Sequence, residues 1–212
     1  MESPMPVRIL TVCTGNICRS PAAERLLQGG LDRLLPGAFD VSSAGTRAMA
    51  GDAIQPLSAE IIRRLGGTAE GFAARQLTPA ILREADLVLT MTARHRSEVI
   101  QMDASLLRRT FTVREFARLL TALEQRDSMR APGADLVGLW RELPAQAAAV
   151  RHLALAADAS ENDVIDPYGR GPEIYRQMEN ELAPALLTIL RFARLNTERS
   201  DWAEADVAGT RK

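Results

Sequence analysis

The chain has 212 residues, 26 of them basic and 27 acidic, for a formal net charge of -1. That balance leaves no polyanion-binding surface and argues against nucleic acid as a partner, so any anion site has to be local. The length suits one domain with a substantial core. The first apolar run, Val7 to Cys13, is too short to span a bilayer and lacks the parts of a secretion signal, so a cytoplasmic protein with no membrane partner is expected. The two cysteines, Cys13 and Cys18, could close only a small ring, which points to thiol chemistry rather than to a disulfide scaffold.

In chain order, Val7 to Val12 reads as a strand buried on both faces, because its apolar and β-branched residues run almost unbroken. Ser20-Pro21 opens a helix, with serine as N-cap and proline in the first turn; Ala23, Leu26, Leu27, Leu31 and Leu34 face the core. A second strand is predicted over Ala38 to Ser43, a helix over Leu57 to Leu65 closed by Gly66-Gly67, and a short helix over Pro79 to Glu84. Ala85 to Met91 is the third strand, followed by a helix from Ala93 to about Gln101, a short strand near Thr110 and Phe111, and a helix from Val113 to Leu123. This alternation predicts a parallel sheet with helices on both faces. Asp127 to Gly138 reads as loop and Pro144 to Ala159 as one alanine-rich helix. Gly171 to Leu195 is a long closing helix that Pro184 should kink or interrupt, and Asn196 to Lys212 should be a mobile tail. Residues 1–195 are thus expected to form a single domain with a helical insertion at about 124–160. His95 and His152 read as solvated or packed, without companions for a metal, Arg94-His95-Arg96 as a wet helix face, and Trp140 and Trp202 as isolated.

The segment Val12-Cys-Thr-Gly-Asn-Ile-Cys-Arg-Ser-Pro21 joins the first strand to the first helix, where ligands of parallel sheets bind. A helix start supplies unpaired N–H groups and a positive dipole end. With Cys13 at the mouth of the loop and Arg19 at its end, the amides from Thr14 through Gly15, Asn16, Ile17 and Cys18 to Arg19 could wrap one tetrahedral oxyanion. Gly15 allows the tight turn. Arg19 can grip two oxygens with its planar fork. The same groups favour the thiolate of Cys13, which makes it a nucleophile without a neighbouring histidine. Ser20 has two roles open to it, capping the helix or donating to that sulfur, and Asn16 is read as bracing the loop.

This stretch resembles the phosphate-binding loop of the low-molecular-weight protein tyrosine phosphatases, V-C-x-G-N-x-C-R-S-P. Ser42-Ser-Ala-Gly-Thr46, Ala85-Asp-Leu-Val-Leu-Thr-Met91 and Asp166-Pro-Tyr-Gly169 are similar to further segments of that family, so the likeness covers most of residues 7–120 and 163–195. The resemblance implies a three-layer, flavodoxin-like α/β sandwich with a four-stranded parallel sheet in the order 2-1-3-4. It implies metal-independent hydrolysis of a phosphomonoester through a phosphocysteine on Cys13, with no cofactor and no metal. Arg19 would hold the phosphoryl group and Asp166 would be the general acid, with Asp163 as fallback. Thr14, Gly15, Asn16, Ile17, Cys18 and Ser20 would bind phosphate, Tyr168 would stack on the substrate ring, and Ser43 would support Asn16. The implied partner is a phosphorylated protein carrying phosphotyrosine, a tyrosine kinase among the candidates; oligomeric state is not specified. The resemblance also implies that Cys18 can form a reversible disulfide with Cys13.

The chain departs from the family at the rim. Ala48 and Met49 stand where an aromatic residue is common, and Gly169 where some members have a second tyrosine. Phe72 stands where some have a histidine behind the loop asparagine, which leaves Ser43 as its only expected brace. Two other readings are arsenate reduction with a soluble thiol, since Cys13 and Cys18 are the only thiols, and non-catalytic binding of a phosphoprotein.

Overall fold

The computed structural model describes residues 5–126 and 136–209, with residues 198–209 described by their backbone. Four parallel strands, β1 (Val7–Cys13), β2 (Phe39–Gly45), β3 (Leu87–Thr90) and β4 (Thr110–Thr112), lie in the order β2-β1-β3-β4. The expected order therefore stands. Alternate side chains of β1 enter opposite cores. Val7 and Ile9 pack with α1 (Arg19–Leu34), α5 (Val113–Gln125) and α7 (Pro172–Gly209), whereas Leu10 and Val12 pack with Leu82 of α3 (Pro79–Glu84) and Val99 of α4 (Ala93–Met102). Burial on both faces is why these strands read as continuous apolar runs.

The helix starts follow local chemistry. Thr78, Thr92 and Thr112 each accept a backbone N–H with the side-chain oxygen, and Thr112 with Glu115 forms a reciprocal capping box on α5. At the end of α2 (Pro56–Arg64), Gly66 takes φ +82° and Gly67 N–H bonds the Ile62 carbonyl, closing the helix as the paired glycines predict.

The second half differs from expectation in three places. First, α6 runs over Leu136–Ala149, with Pro144 inside it, and a 3₁₀ turn follows at Arg151–Leu153. Proline's preference for a first turn suggests a start at 144, but Leu136, Val137, Leu139, Trp140 and Leu143 are all buried and draw residues 136–143 into the helix. Residues 127–135 of the predicted loop lie outside the described residues.

Second, Trp140 is not isolated: it is fully buried, with its ring edge-on to Phe39 at 5.1 Å and to Phe192 at 6.2 Å, and so ties α6 to β2 and α7. Third, α7 is one helix of 38 residues that Pro184 does not interrupt. Pro184 and Asn180 are both exposed, so the carbonyl deprived of its N–H partner faces water. The helix also continues past Leu195. Asn196 is buried and its Nδ2 donates to the Phe192 carbonyl at 2.7 Å, and no glycine or proline breaks the sequence before Gly209. The side chain of Trp202 lies outside the described residues.

Candidate functional site

The carboxyl ends of the strands meet at Cys13, which pairs in register with Gly45, while Val12 pairs with Thr90. The loop 13–19 leaves the sheet there and is fixed by its carbonyls. Cys13 O accepts from Thr46 N, Thr14 O from Arg47 N, Gly15 O from Met49 N and Ile17 O from Gln55 N, at 2.8–3.0 Å. With the carbonyls turned outward, the amides of Thr14, Gly15, Ile17 and Cys18 donate to no other group among the described residues. Such a run of inward N–H groups is an anion-binding concavity. Gly45 is required at its back: a Cβ there would lie 2.4 Å from the Thr14 carbonyl oxygen.

Asn16 turns the loop with φ +57°, the only positive φ outside glycine among the described residues. Its amide Nδ2 donates to Ser20 Oγ at 2.9 Å and Ser43 Oγ at 2.8 Å, and its Oδ1 accepts from Arg75 N at 2.8 Å. Ser43 is thus not its only brace. Ser43 in turn donates to Glu24 Oε2 at 2.6 Å, and burial pushes the Glu24 carboxyl up. Asn16, Ser20 and Glu24 recur at spacing four, a polar stripe visible in the sequence once the helix is placed. Arg75, whose Nε also reaches the Ser43 carbonyl at 2.6 Å, left no such signal.

Ser20 does not cap α1. Cys18 is the N-cap, without a side-chain bond, and Ser20 Oγ lies 3.0 Å from Cys13 Sγ. The other described partner of Ser20 Oγ, Asn16 Nδ2, is a donor, so the sulfur is the one acceptor for the Ser20 proton among the described residues, and the sulfur also accepts from Asn16 N at 3.3 Å. The hydrogen-bond partners of Cys13 Sγ among the described residues are therefore donors. Cys18 is different in kind. Burial pushes its thiol up to about 11, and its sulfur lies 3.8 Å from the Tyr175 hydroxyl of α7.

Arg19 is 3% exposed. Its Nη1 donates to the Val164 carbonyl at 3.2 Å and its Nη2 to Asp166 Oδ2 at 2.5 Å, while Nε is buried without a hydrogen-bond partner among the described residues. The sequence separation between Cys13 and Asp166 is thereby closed through the guanidinium. Asp166 is half exposed, with Oδ1 accepting from Tyr168 N at 3.2 Å, and Tyr168 stands half exposed at the rim. Asp163 faces elsewhere: its Oδ1 accepts from Ala93 N at 2.7 Å, on the first residue of α4. Met49 lies across the Gly15 side of the loop, and neither Ala48 nor Met49 offers a ring opposite Tyr168.

His95 is packed, as one of its two readings had it, but its place was not foreseen. It is 4% exposed, with Nε2 2.8 Å from Thr14 Oγ1 and Nδ1 2.7 Å from Thr92 Oγ1. Burial, then the Arg19 charge, holds its imidazole down to about pKa 4. An unfolded histidine protonates near 6.5, so between these values the unfolded chain binds a proton that the folded chain refuses. Stability is therefore full above pH 6.5 and should fall by about 3 kcal/mol as the pH drops to 4. Urea unfolding of the wild type and of His95→Gln at pH 7 and 4.5 tests this; equal losses in both proteins would refute it.

A four-stranded parallel sheet in the order 2-1-3-4 with helices around it defines the flavodoxin-like class of α/β proteins. Residues 8–128 match the low molecular weight phosphotyrosine protein phosphatase family, and the chain belongs to it. The low molecular weight protein-tyrosine-phosphatase Wzb of Salmonella typhi is 43% identical over 88 residues, which are 42% of this chain and 56% of that protein. The chain thus spans little more than half the length of that relative. Among solved structures, the YwlE arginine phosphatase from Geobacillus stearothermophilus has a TM-score of 0.62 and 27% identity over 92% of this chain and 97% of its own. The AmsI tyrosine phosphatase of Erwinia amylovora, with a TM-score of 0.60 and 23% identity over 89% and 93%, shares the fold.

Proposed function

We propose that the protein hydrolyses phosphomonoesters without a metal ion, through a phosphocysteine on Cys13, with phosphotyrosine in a protein as its substrate. The observation that carries this reading is the donor-only environment of Cys13 Sγ inside a loop of inward amides that ends on Arg19. The thiolate attacks phosphorus as the P–O bond to the leaving group breaks, and Asp166 protonates the departing oxygen. Water then attacks the phosphocysteine and gives its proton to Asp166, releasing phosphate and restoring the thiolate. The loop amides and Arg19 hold the charge on the equatorial oxygens throughout.

The substrate assignment rests on the Wzb likeness and on Tyr168 at the rim. With Met49 and Gly169 in place of further aromatic residues, aryl phosphates are favoured over alkyl ones only modestly. A phosphorylated protein, a tyrosine kinase among the candidates, is the proposed partner. The cytoplasm is the proposed location, and no described helix is long and apolar enough to cross a membrane. Arsenate reduction is the weaker reading, because Cys18 is held as a buried thiol and a soluble thiol would have to carry the electrons.

The test is hydrolysis of p-nitrophenyl phosphate in excess EDTA, followed by matched peptides carrying phosphotyrosine, phosphoserine or phosphoarginine. Full activity in EDTA with preference for the phosphotyrosine peptide is expected. Activity only after adding a divalent metal would overturn the mechanism, and preference for phosphoarginine would overturn the substrate.

A further inference from the structure

The polar groups left over once the loop's braces are counted are those around His95. Thr14 follows the nucleophile directly, and its Oγ1 meets His95 Nε2; the ring's other nitrogen meets Thr92 Oγ1, on the residue that caps α4. Thr92 Oγ1 already accepts the His95 backbone N–H at 3.2 Å. A neutral imidazole has one donor and one acceptor, so only two arrangements are possible. If Nδ1 carried the proton, Thr92 Oγ1 would accept twice from one residue, its own hydroxyl proton would have no acceptor among the described residues, and Thr14 would spend its proton on Nε2. If Nε2 carries the proton, Thr92 donates to Nδ1, His95 donates to Thr14, and the Thr14 hydroxyl proton is unspent one residue after the nucleophile.

We propose that His95 is a positioning residue of the anion loop: as the Nε2–H tautomer it fills the acceptor side of Thr14 Oγ1, so that the Thr14 hydroxyl serves as a side-chain donor to the bound phosphoryl oxygen. The amides supply the bulk of the cradle, and Thr14 adds a donor whose orientation is set from behind. The same ring joins the two halves of the site. The start of α4 that Thr92 caps also holds the acid loop, through Ala93 N to Asp163 Oδ1 at 2.7 Å and Val164 N to the Met91 carbonyl at 2.8 Å, and Val164 O accepts from Arg19. The anion loop, α4 and the acid loop thus form a closed circuit through His95. Burial, with the charges of Arg19 from the site and Arg94 on its own helix, keeps the ring neutral against Glu98 on that helix and Asp166 from the site.

This inference rests on the reading of the loop as a phosphate site, but its test needs no turnover. Inorganic phosphate is the probe, and its dissociation constant is measured for the wild type, Thr14→Val, His95→Asn, the double variant and His95→Gln. Losing one hydrogen bond to a charged ligand should weaken binding about tenfold in each of the first two variants. The double variant should lose no more than either, because both remove the same donor. Glutamine, whose amide can stand in for Nε2–H, should restore binding to within about threefold, whereas asparagine cannot reach Thr14.

The ¹⁵N spectrum of the imidazoles reads the tautomer directly in the wild type, whatever the variants' folding. The chain has 2 histidines, so a His152→Gln control assigns the signals. An Nε2–H ring that stays neutral from pH 8 to 5.5 is expected. An Nδ1–H ring, an imidazolium at pH 6, or additive losses in the double variant would each overturn the proposal. A wild type that binds phosphate with this coupling yet hydrolyses nothing would overturn the phosphatase reading alone.

Discussion

Cys13→Ser should lower turnover of p-nitrophenyl phosphate by at least about a thousandfold while leaving inorganic phosphate bound within about threefold of the wild type. The reason lies in what surrounds the sulfur. Ser20 Oγ and Asn16 N both donate to it, and no carboxylate or imidazole hydrogen-bonds to it among the described residues. Donors stabilise the anionic form of a nucleophile, which suits a thiolate. They do nothing to deprotonate an alcohol, which needs a base. The serine is therefore a far weaker nucleophile, but it is nearly isosteric, and the loop's amides, its carbonyl anchors and Arg19 are untouched. Steady-state kinetics with calorimetric phosphate binding separates the two effects. Turnover above about one per cent of wild type would remove the covalent step, and loss of both activities would show that the substitution had damaged the loop instead.

How much of this was legible in the sequence follows from where the determining contacts lie. The strands were legible because β1 and β3 are buried on two faces, so Ile9 and Leu10, or Leu87 and Val88, had to be apolar together although they enter different cores. The helix starts at Thr78, Thr92 and Thr112 were legible because the caps are local. The anion loop was legible because nine residues act within one turn of chain. What could not be read were polar partners supplied from a distance: Arg75 on Asn16 across 59 positions, and His95 on Thr14 across 81. A histidine between two arginines on a helix looks wet until the sheet order sets the start of that helix beside the loop that follows β1. The start of α6 was missed for a related reason. Pro144 is a strong local signal, and the apolar face from Leu136 to Leu143 outweighed it only because Phe39 and Phe192 were there to receive Trp140.

Asp166→Asn should slow substrates in proportion to how badly their leaving groups need a proton. For p-nitrophenyl phosphate, whose phenolate departs readily, a loss of about tenfold is expected, and for phenyl phosphate or a phosphotyrosine peptide about 10²–10⁴-fold. In the proposed mechanism the ion pair holds the Asp166 carboxyl on Arg19 until an anion enters. Arg19 engages Asp166 through Nη2, holds Val164 O with Nη1 and has Nε unspent. A bound phosphoryl group can take Nε and Nη2 together as a bidentate partner, which frees the half-exposed carboxyl to turn to the leaving oxygen. Asparagine keeps the size and can still accept from Tyr168 N, but it has no proton to give. A slope of rate against leaving-group pKa that steepens in the variant would locate the acid at Asp166. Parallel slopes would move it elsewhere, and Asp163 could take the role only by giving up its bond to the start of α4. That cost makes the two carboxylates separable by experiment, since Asp163→Asn should loosen the acid loop for every substrate alike, whereas Asp166→Asn should discriminate among them.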